Sequence, residues 1–253
     1  MTIEKESLTD EQWLRYSRHL LLPQFDQSHQ LKLQNTTVFV YGAGGLGSPL
    51  LMYLAASGVK NIIINDFDEV EISNLQRQII HNQQSVGVNK AQSAKQVINN
   101  LNSEINVTSV EQKLDETQLA EHIKGCDLAL VGTDNFESRY LINTVCTQAK
   151  VPQISAAALG FEGQLLVLDP NNADSPCYQC LYPDANEEIT CSQAGVLSPV
   201  VGVLGTMQAL SALKFLTKIG DSQIGKLQLF DALSGQWRTI NVKKRENCVT
   251  CSK

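Results

Sequence analysis

Two groups of residues in this chain have spacings that imply chemistry. The first is Gly42-Ala43-Gly44-Gly45-Leu46-Gly47, a G-x-G-x-x-G run between the apolar segment Thr37 to Tyr41 and a further apolar stretch that opens with Ser48-Pro49. Glycines there let the backbone turn tightly and approach a phosphate, and the helix that follows aims its N–H groups and positive dipole end at the anion. A second apolar run ends at Asn65-Asp66-Phe67-Asp68. This puts a carboxylate about 20 residues past the glycines, where a ribose hydroxyl is normally held. NAD, FAD and ATP all satisfy such a loop, so it predicts a nucleotide site without choosing the nucleotide.

The second group is Cys177 and Cys180, one C-x-x-C, with Cys248 and Cys251, another. Two thiolate pairs complete a tetrahedral zinc site, and four protein ligands leave no open position, so the metal would be structural. The competing readings are two unrelated dithiols or a redox centre. Neither pair sits in the thioredoxin-like setting that redox chemistry uses. Cys126 and Cys146 lie among apolar residues and read as core packing. Cys191 stands outside both pairs and is a candidate thiol for a covalent step, one that nucleotidyl transfer does not require.

Between the two groups, Ser73-Asn74-Leu75-Gln76-Arg77-Gln78 follows the acidic turn, and a helical turn there would put Asn74 and Arg77 on one face. Lys90 opens the next helix, and Asp134 follows the strand Leu128 to Val131 at its carboxyl end, the edge where open α/β sheets bind ligands. Two cations, an amide and a carboxylate able to hold magnesium suit phosphoryl or nucleotidyl transfer better than hydride transfer.

Positioning these residues requires alternating strands and helices. The predicted strands are Thr37 to Tyr41, Asn61 to Asn65, Val107 to Val110, Leu128 to Val131, Gly163 to Leu168, Lys226 to Asp231 and Arg238 to Val242. The predicted helices are Gly45 to Ser57, Lys90 to Leu101 and Phe136 to Ala149, with an apolar core helix from Pro199 to Leu216 ended by Gly220. The expectation is an α/β protein: a Rossmann-like nucleotide-binding fold whose mostly parallel sheet is extended by antiparallel strands, plus a structural zinc site. With no repeat or Pro/Gly-rich linker, residues 1–253 read as one domain. Within it, 1–36 is helical, 37–150 is the nucleotide-binding half, and 151–253 is the carrier and zinc half.

A net charge of −6 and a pI near 5.3 argue against nucleic acid and anionic membrane as partners, because both reward a basic footprint. Met1 to Asp10 has no apolar h-region, so neither a secretory nor a transit signal is expected and the protein is placed in the cytoplasm.

Taken together, Arg15-Tyr16-Ser17-Arg18, Gly42 to Gly47, Asp66-Phe67-Asp68, Ser73 to Gln78, Lys90, Thr133-Asp134-Asn135, the paired cysteines and Cys191-Ser192-Gln193-Ala194-Gly195-Val196 resemble the MoeB/ThiF family, bacterial relatives of the ubiquitin-activating enzymes. The resemblance runs from Arg15 to Cys251. It implies an enzyme that uses ATP to adenylate the C-terminal Gly-Gly carboxylate of a ubiquitin-like sulfur carrier. It also implies that Gly42, Gly44, Gly45, Gly47, Asp66, Asp68, Ser73 and Asn135 line the nucleotide, with Asp66 on the ribose. Asn74, Arg77 and Lys90 would then face the triphosphate, Asp134 would hold magnesium, and the four paired cysteines would hold zinc. The resemblance further implies a homodimer in which Arg18 reaches the partner's ATP. The chain ends two residues past Cys251, so a separate sulfur donor, a cysteine desulfurase or rhodanese-type protein, is expected. Motifs of the molybdopterin and thiazole branches are both present, which leaves the carrier open. The alternatives are an NAD- or FAD-dependent oxidoreductase and an inactive nucleotide-binding scaffold.

Overall fold

The computed structural model describes residues 7–133, 135–183 and 195–252. Three short helices, α1 (Asp10–Arg15), α2 (Ser17–Leu20) and α3 (Gln27–Gln34), lead into alternating β1 (Thr37–Tyr41), α4 (Gly47–Ala56), β2 (Asn61–Asn65), α5 (Lys90–Leu101), β3 (Asn106–Val110), α6 (Glu116–Ile123), β4 (Leu128–Val131), α7 (Phe136–Ala149) and β5 (Gln153–Leu159). The chain continues through β6 (Glu162–Leu168), α8 (Tyr178–Leu181), α9 (Ser198–Thr217), β7 (Lys226–Asp231) and β8 (Gln236–Asn241).

All eight strands form one sheet in the order β3-β2-β1-β4-β5-β6-β7-β8. β1 to β5 pair in parallel and β5 to β8 antiparallel, in agreement with the mixed sheet expected from the sequence. The order reverses at β1 and β4, and a doubly wound sheet binds its ligand in the crevice beyond that point.

Strand alternation supplies both faces. Val38 and Val40 of β1 and Leu128 and Leu130 of β4 enter the core beneath α4, α5 and α9; Phe39, Tyr41, Ala129 and Val131 enter the core beneath α6 and α7. Leu50, Leu51 and Leu54 of α4 are fully buried, each contributing roughly 1.5–3 kcal/mol. Cys126 and Cys146 are buried in the second core, as their apolar neighbours imply.

α9 is long and apolar enough to cross a membrane by length and composition alone. Instead it packs against α4 and the sheet. Its Gln208 is wholly buried and donates from Nε2 to Val131 O at 3.1 Å and Ile154 O at 2.8 Å, fastening the helix across β4 and β5. Lys218, in the left-handed conformation at φ 59°, ends the helix before the expected Gly220 is reached.

Several boundaries differ from the sequence reading. α4 starts at Gly47 rather than Gly45, because Gly42 to Leu46 form the turn itself. β3 and β6 each start one residue earlier, and β8 runs from Gln236 to Asn241, in register with β7. β5 and α6 were not anticipated, whereas α1, α2 and α3 fall within the segment 1–36 read as helical.

α9 approaches α4 so closely that a Cβ on Gly205 would stand 2.2 Å from Leu46 O, whereas one on Gly202 meets nothing within 4 Å. Gly205→Ala should therefore destabilise the fold by roughly 1–3 kcal/mol. Gly202→Ala should be neutral or stabilising by up to about 1 kcal/mol, since alanine is the better helix former. Urea denaturation of the two variants checks the contrast.

Candidate active site

The glycine loop takes its shape from backbone contacts that exclude side chains. Gly42 holds φ +99°, and a Cβ on it would lie 3.2 Å from Gly132 O at the end of β4. A Cβ on Gly47 would overlap Gly42 O at 2.1 Å, so the first and last glycines of the motif close the turn against each other. Gly45 passes under Val201 of α9, where a Cβ would meet Cγ2 at 2.9 Å. The first turn of α4 has no side-chain cap; Pro49 carries no N–H and Ser48 N–H donates to Gly44 O at 2.8 Å, so an anion there would meet the end of the glycine loop and the positive end of the helix dipole.

Beside this loop lies a cavity of about 580 Å³. Gly42, Gly44 and Gly45 line it, with Asp66, Asp68, Arg77, Lys90 and Asn135. The carboxylate of Asp66 accepts from Ala43 N–H at 2.8 Å and from Asp68 N–H at 3.0 Å, so it braces the glycine loop directly. Burial pushes its pKa up, and Lys90 opposes the shift. Lys90 is itself buried and donates to Asp68 Oδ2 at 2.8 Å. Arg77 runs its stem past Gly45 and donates from Nη1 to Ser73 O at 3.1 Å.

Ser73, Asn74 and Gly47 do not line the cavity. Asn74 is buried in a 3-10 turn, where its Oδ1 accepts from Glu71 N–H at 3.2 Å. Ser73 is exposed and donates to Glu71 at 3.0 Å. Arg18 is exposed on α2, outside the cavity lining, and makes no hydrogen bond or ion pair among the described residues. Asp134 and Cys191 lie outside the described residues.

A nucleotide fits this lining. Gly42, Gly45 and Gly47 have no room for side chains, Arg77 and Lys90 line the cavity with the loop, and among the described residues the buried acceptors Asn65 Oδ1 and Gln78 Oε1, both on cavity residues, have no hydrogen-bond donor.

Two residues have supporting roles that the sequence did not show, although His81 follows the Arg77 segment closely enough to border the pocket. Buried His81 bridges Ala43 O and Ser93 Oγ, each at 2.9 Å. A carbonyl can only accept, so Nε2 carries the proton and donates to Ala43 while Nδ1 accepts from the Ser93 hydroxyl. Arg139 on α7 lines the far wall beside Thr133. Only its position four residues after Asn135, on the same helical face, hinted at this role.

The four paired cysteines converge. Their sulfurs all lie within 4.8 Å of one another, with Cys177 to Cys248 and Cys180 to Cys251 at 3.5 Å and Cys177 to Cys180 at 3.9 Å. Zn–S bonds of about 2.3 Å in a tetrahedron separate sulfurs by about 3.8 Å, whereas a disulfide needs about 2.05 Å. Burial works against ionisation of Cys248, yet backbone N–H groups of Cys251 and Thr250 outweigh it and bring the thiol down to about 7. The donor set and spacing fit zinc.

A doubly wound α/β sheet with a glycine cradle, opposed cations and a distant four-thiol cluster defines a nucleotide-binding enzyme scaffold. The family profile described as "ThiF family" matches residues 16–250, and the chain belongs to that family. It is 41% identical to the sulfur carrier protein ThiS adenylyltransferase of Escherichia coli, over 96% of this chain and 97% of that one. It is 40% identical to the molybdopterin-synthase adenylyltransferase of the same organism, over 96% and 98%. Against the maize adenylyltransferase and sulfurtransferase MOCS3-1 it is 43% identical over 97% of this chain but spans only 53% of that longer protein. Among solved structures, E. coli MccB with ATP superposes with a TM-score of 0.82 at 27% identity, covering 94% of this chain and 75% of MccB.

Removing metal should loosen the C-terminal tail, which the cluster joins to α8. Purified protein should contain one zinc per chain, cobalt substitution should give the intense d–d bands of tetrahedral thiolate coordination, and Cys248→Ser should abolish both. His81 supplies a second expectation. Burial lowers its pKa below the usual 6.5. Its contribution is therefore complete above pH 6.5 and is lost as pH falls through the lower folded value, because the unfolded state takes up the proton first. Melting temperatures between pH 7.5 and 5.5 should fall less steeply for His81→Gln than for the wild type.

Proposed function

We propose that this chain adenylates the C-terminal carboxylate of a small ubiquitin-like sulfur carrier ending in Gly-Gly, releasing pyrophosphate. The observation that carries the reading is the convergence of the glycine cradle, Arg77, Lys90 and Asp66 on one cavity, in a chain about 40% identical to named adenylyltransferases along its length.

The chemistry needs no general base. A C-terminal carboxylate is already ionised at neutral pH. Its oxygen attacks the α-phosphorus of ATP, the bond from that phosphorus to the bridging oxygen of the β-phosphate breaks, and pyrophosphate departs with the electron pair. Positioning and charge stabilisation then supply the rate. The glycine cradle and α4 hold the phosphates, Arg77 and Lys90 neutralise charge as it develops, and Asp66 with Asp68 fixes the ribose side. Asn135 stands beside them, and Ser73 and Asn74 shape the turn that carries Arg77. Magnesium, assigned to Asp134, would screen the departing pyrophosphate.

Arg18, exposed and unengaged on α2, suits a homodimer in which it reaches the partner's cavity. Cys191 is the candidate thiol for a later covalent sulfur step, with the sulfur itself brought by a separate cysteine desulfurase or rhodanese-type donor. We assign zinc to the four-cysteine cluster as a structural ion. The continuous sheet supports one adenylyltransferase domain, and cysteines that form no disulfide among the described residues suit the reducing cytoplasm.

ATP–pyrophosphate exchange with magnesium tests the reading. The assay uses Gly-Gly carriers of the thiazole and molybdopterin pathways as separate arms. Exchange should depend on one carrier and fall about 10²-fold in Arg77→Ala. ATP binding without exchange in either arm would favour a scaffold, and tight NAD or FAD binding would favour an oxidoreductase.

A further inference from the structure

α7 begins at the cavity, and one of its faces leads straight to the cysteine cluster. Its cap residue Asn135 and Arg139 both line the cavity, while Asn143 lies one turn beyond Arg139 on the same side. The Arg139 guanidinium is used on both sides. Nη2 and Nε donate to Thr133 O, in the cavity wall, at 2.6 and 3.2 Å. Nη1 donates to the hydroxyl of Tyr178 at 3.0 Å. Tyr178 directly follows Cys177 and lies two residues before Cys180. Its ring is within 6.0 Å of the guanidinium carbon, and its backbone N–H donates to Asn143 Oδ1 at 2.8 Å.

Tyr178 is therefore gripped at its hydroxyl and at its backbone by two successive turns of one helix. Arg139, Asn143 and Tyr178 are all buried, at 6%, 0% and 2% exposure. Among the described residues no carboxylate lies within ion-pair distance of Arg139; its hydrogen bonds go to Thr133 O and the Tyr178 hydroxyl, and its guanidinium carbon lies 5.9 Å from the Phe136 ring centroid. Such a cation held in low dielectric has few alternative placements.

We infer that Arg139 and Tyr178 form a mechanical bridge that makes metal occupancy of the four-cysteine cluster and nucleotide binding in the cavity mutually dependent. With the cluster closed, Tyr178 is fixed, and Arg139 holds the Thr133 carbonyl in the shape that nucleotide meets. When the cluster opens, Tyr178 loses the restraint of its neighbours Cys177 and Cys180 and can shift on α7, which disturbs one of the two hydrogen-bond anchors of Arg139. Coupling of this kind is reciprocal, so bound nucleotide must also slow metal loss. Arg139 acts here as a positioning residue. The inference rests on the proposed zinc and ATP occupancies of the two sites.

The test measures zinc transfer from the intact protein to a chromophoric chelator, with and without saturating α,β-methylene-ATP. The wild type should release zinc about fivefold more slowly with nucleotide. In Tyr178→Phe, which removes one oxygen and keeps the ring, that ratio should fall to near one; Arg139→Lys, which keeps the charge and loses the fork, should do the same. A purely structural role would instead speed release equally with and without nucleotide and leave the ratio unchanged. An unchanged ratio in both variants, or a wild-type ratio of one in protein that demonstrably holds zinc and binds nucleotide, overturns the bridge alone. Protein without zinc overturns the zinc assignment and the bridge together; protein that does not bind nucleotide overturns the proposed function and the bridge together.

Discussion

The fold is organised around a backbone contact that leaves no room for a side chain: Gly47 lies against the carbonyl of Gly42, while Gly42 lies against Gly132. These three positions bring the ends of β1 and β4 and the start of α4 within van der Waals distance at the point where strand order reverses. Everything else at the site is arranged around that contact. Asp66 reaches Ala43 from β2, His81 supports the Ala43 carbonyl from below, and Val201 of α9 covers Gly45. Residues from four parts of the chain thus stabilise one turn, and the turn in return leaves the cavity beside it open.

The cations follow a related logic. Lys90 is buried and tied to the half-exposed Asp68. Among the described residues Arg77 donates to a single backbone carbonyl, and its other donors are unused. Both suit the phosphate ligand proposed for the cavity. The unpartnered acceptors of Asn65 and Gln78 say the same of the ligand's donor groups. The site is costly in the free protein and satisfied by an occupant, which is the usual sign of a binding surface retained at some expense to stability.

Much of this was legible in the sequence because it depended on local rules. β1, β2, β4, α5 and α7 have the boundaries that period and capping indicate; α5 and α7 each begin immediately after an asparagine whose side chain caps them. The cysteine pairs could be read from spacing alone, since tetrahedral thiolate chemistry imposes it. β5 was hidden because Gln153-Ile-Ser-Ala-Ala-Ala-Leu has the composition of a helix. It becomes a strand because its small residues let α9 lie flat across the sheet, a tertiary preference that overrides propensity. The roles of His81 and Arg139 were hidden for a different reason. Each joins segments distant in the chain, and no periodicity reports such a contact. Asn74 shows the converse: its motif suggested a place at the phosphates, while its amide closes the turn that presents Arg77.

One consequence concerns how this architecture can be divided. The cavity draws its lining from Tyr41 to Leu229, and α9, near the end of the chain, covers the glycine loop contributed near its beginning. A fragment ending after α7 would keep the recognisable nucleotide motif. It would also leave β4 with an unpaired edge where β5 belongs, and uncover the apolar surfaces of α4 and the sheet that α9 occupies. The motif-bearing half is therefore not a portable module, and recombination or truncation has to respect the whole span of the sheet even though the diagnostic residues occupy only its first part.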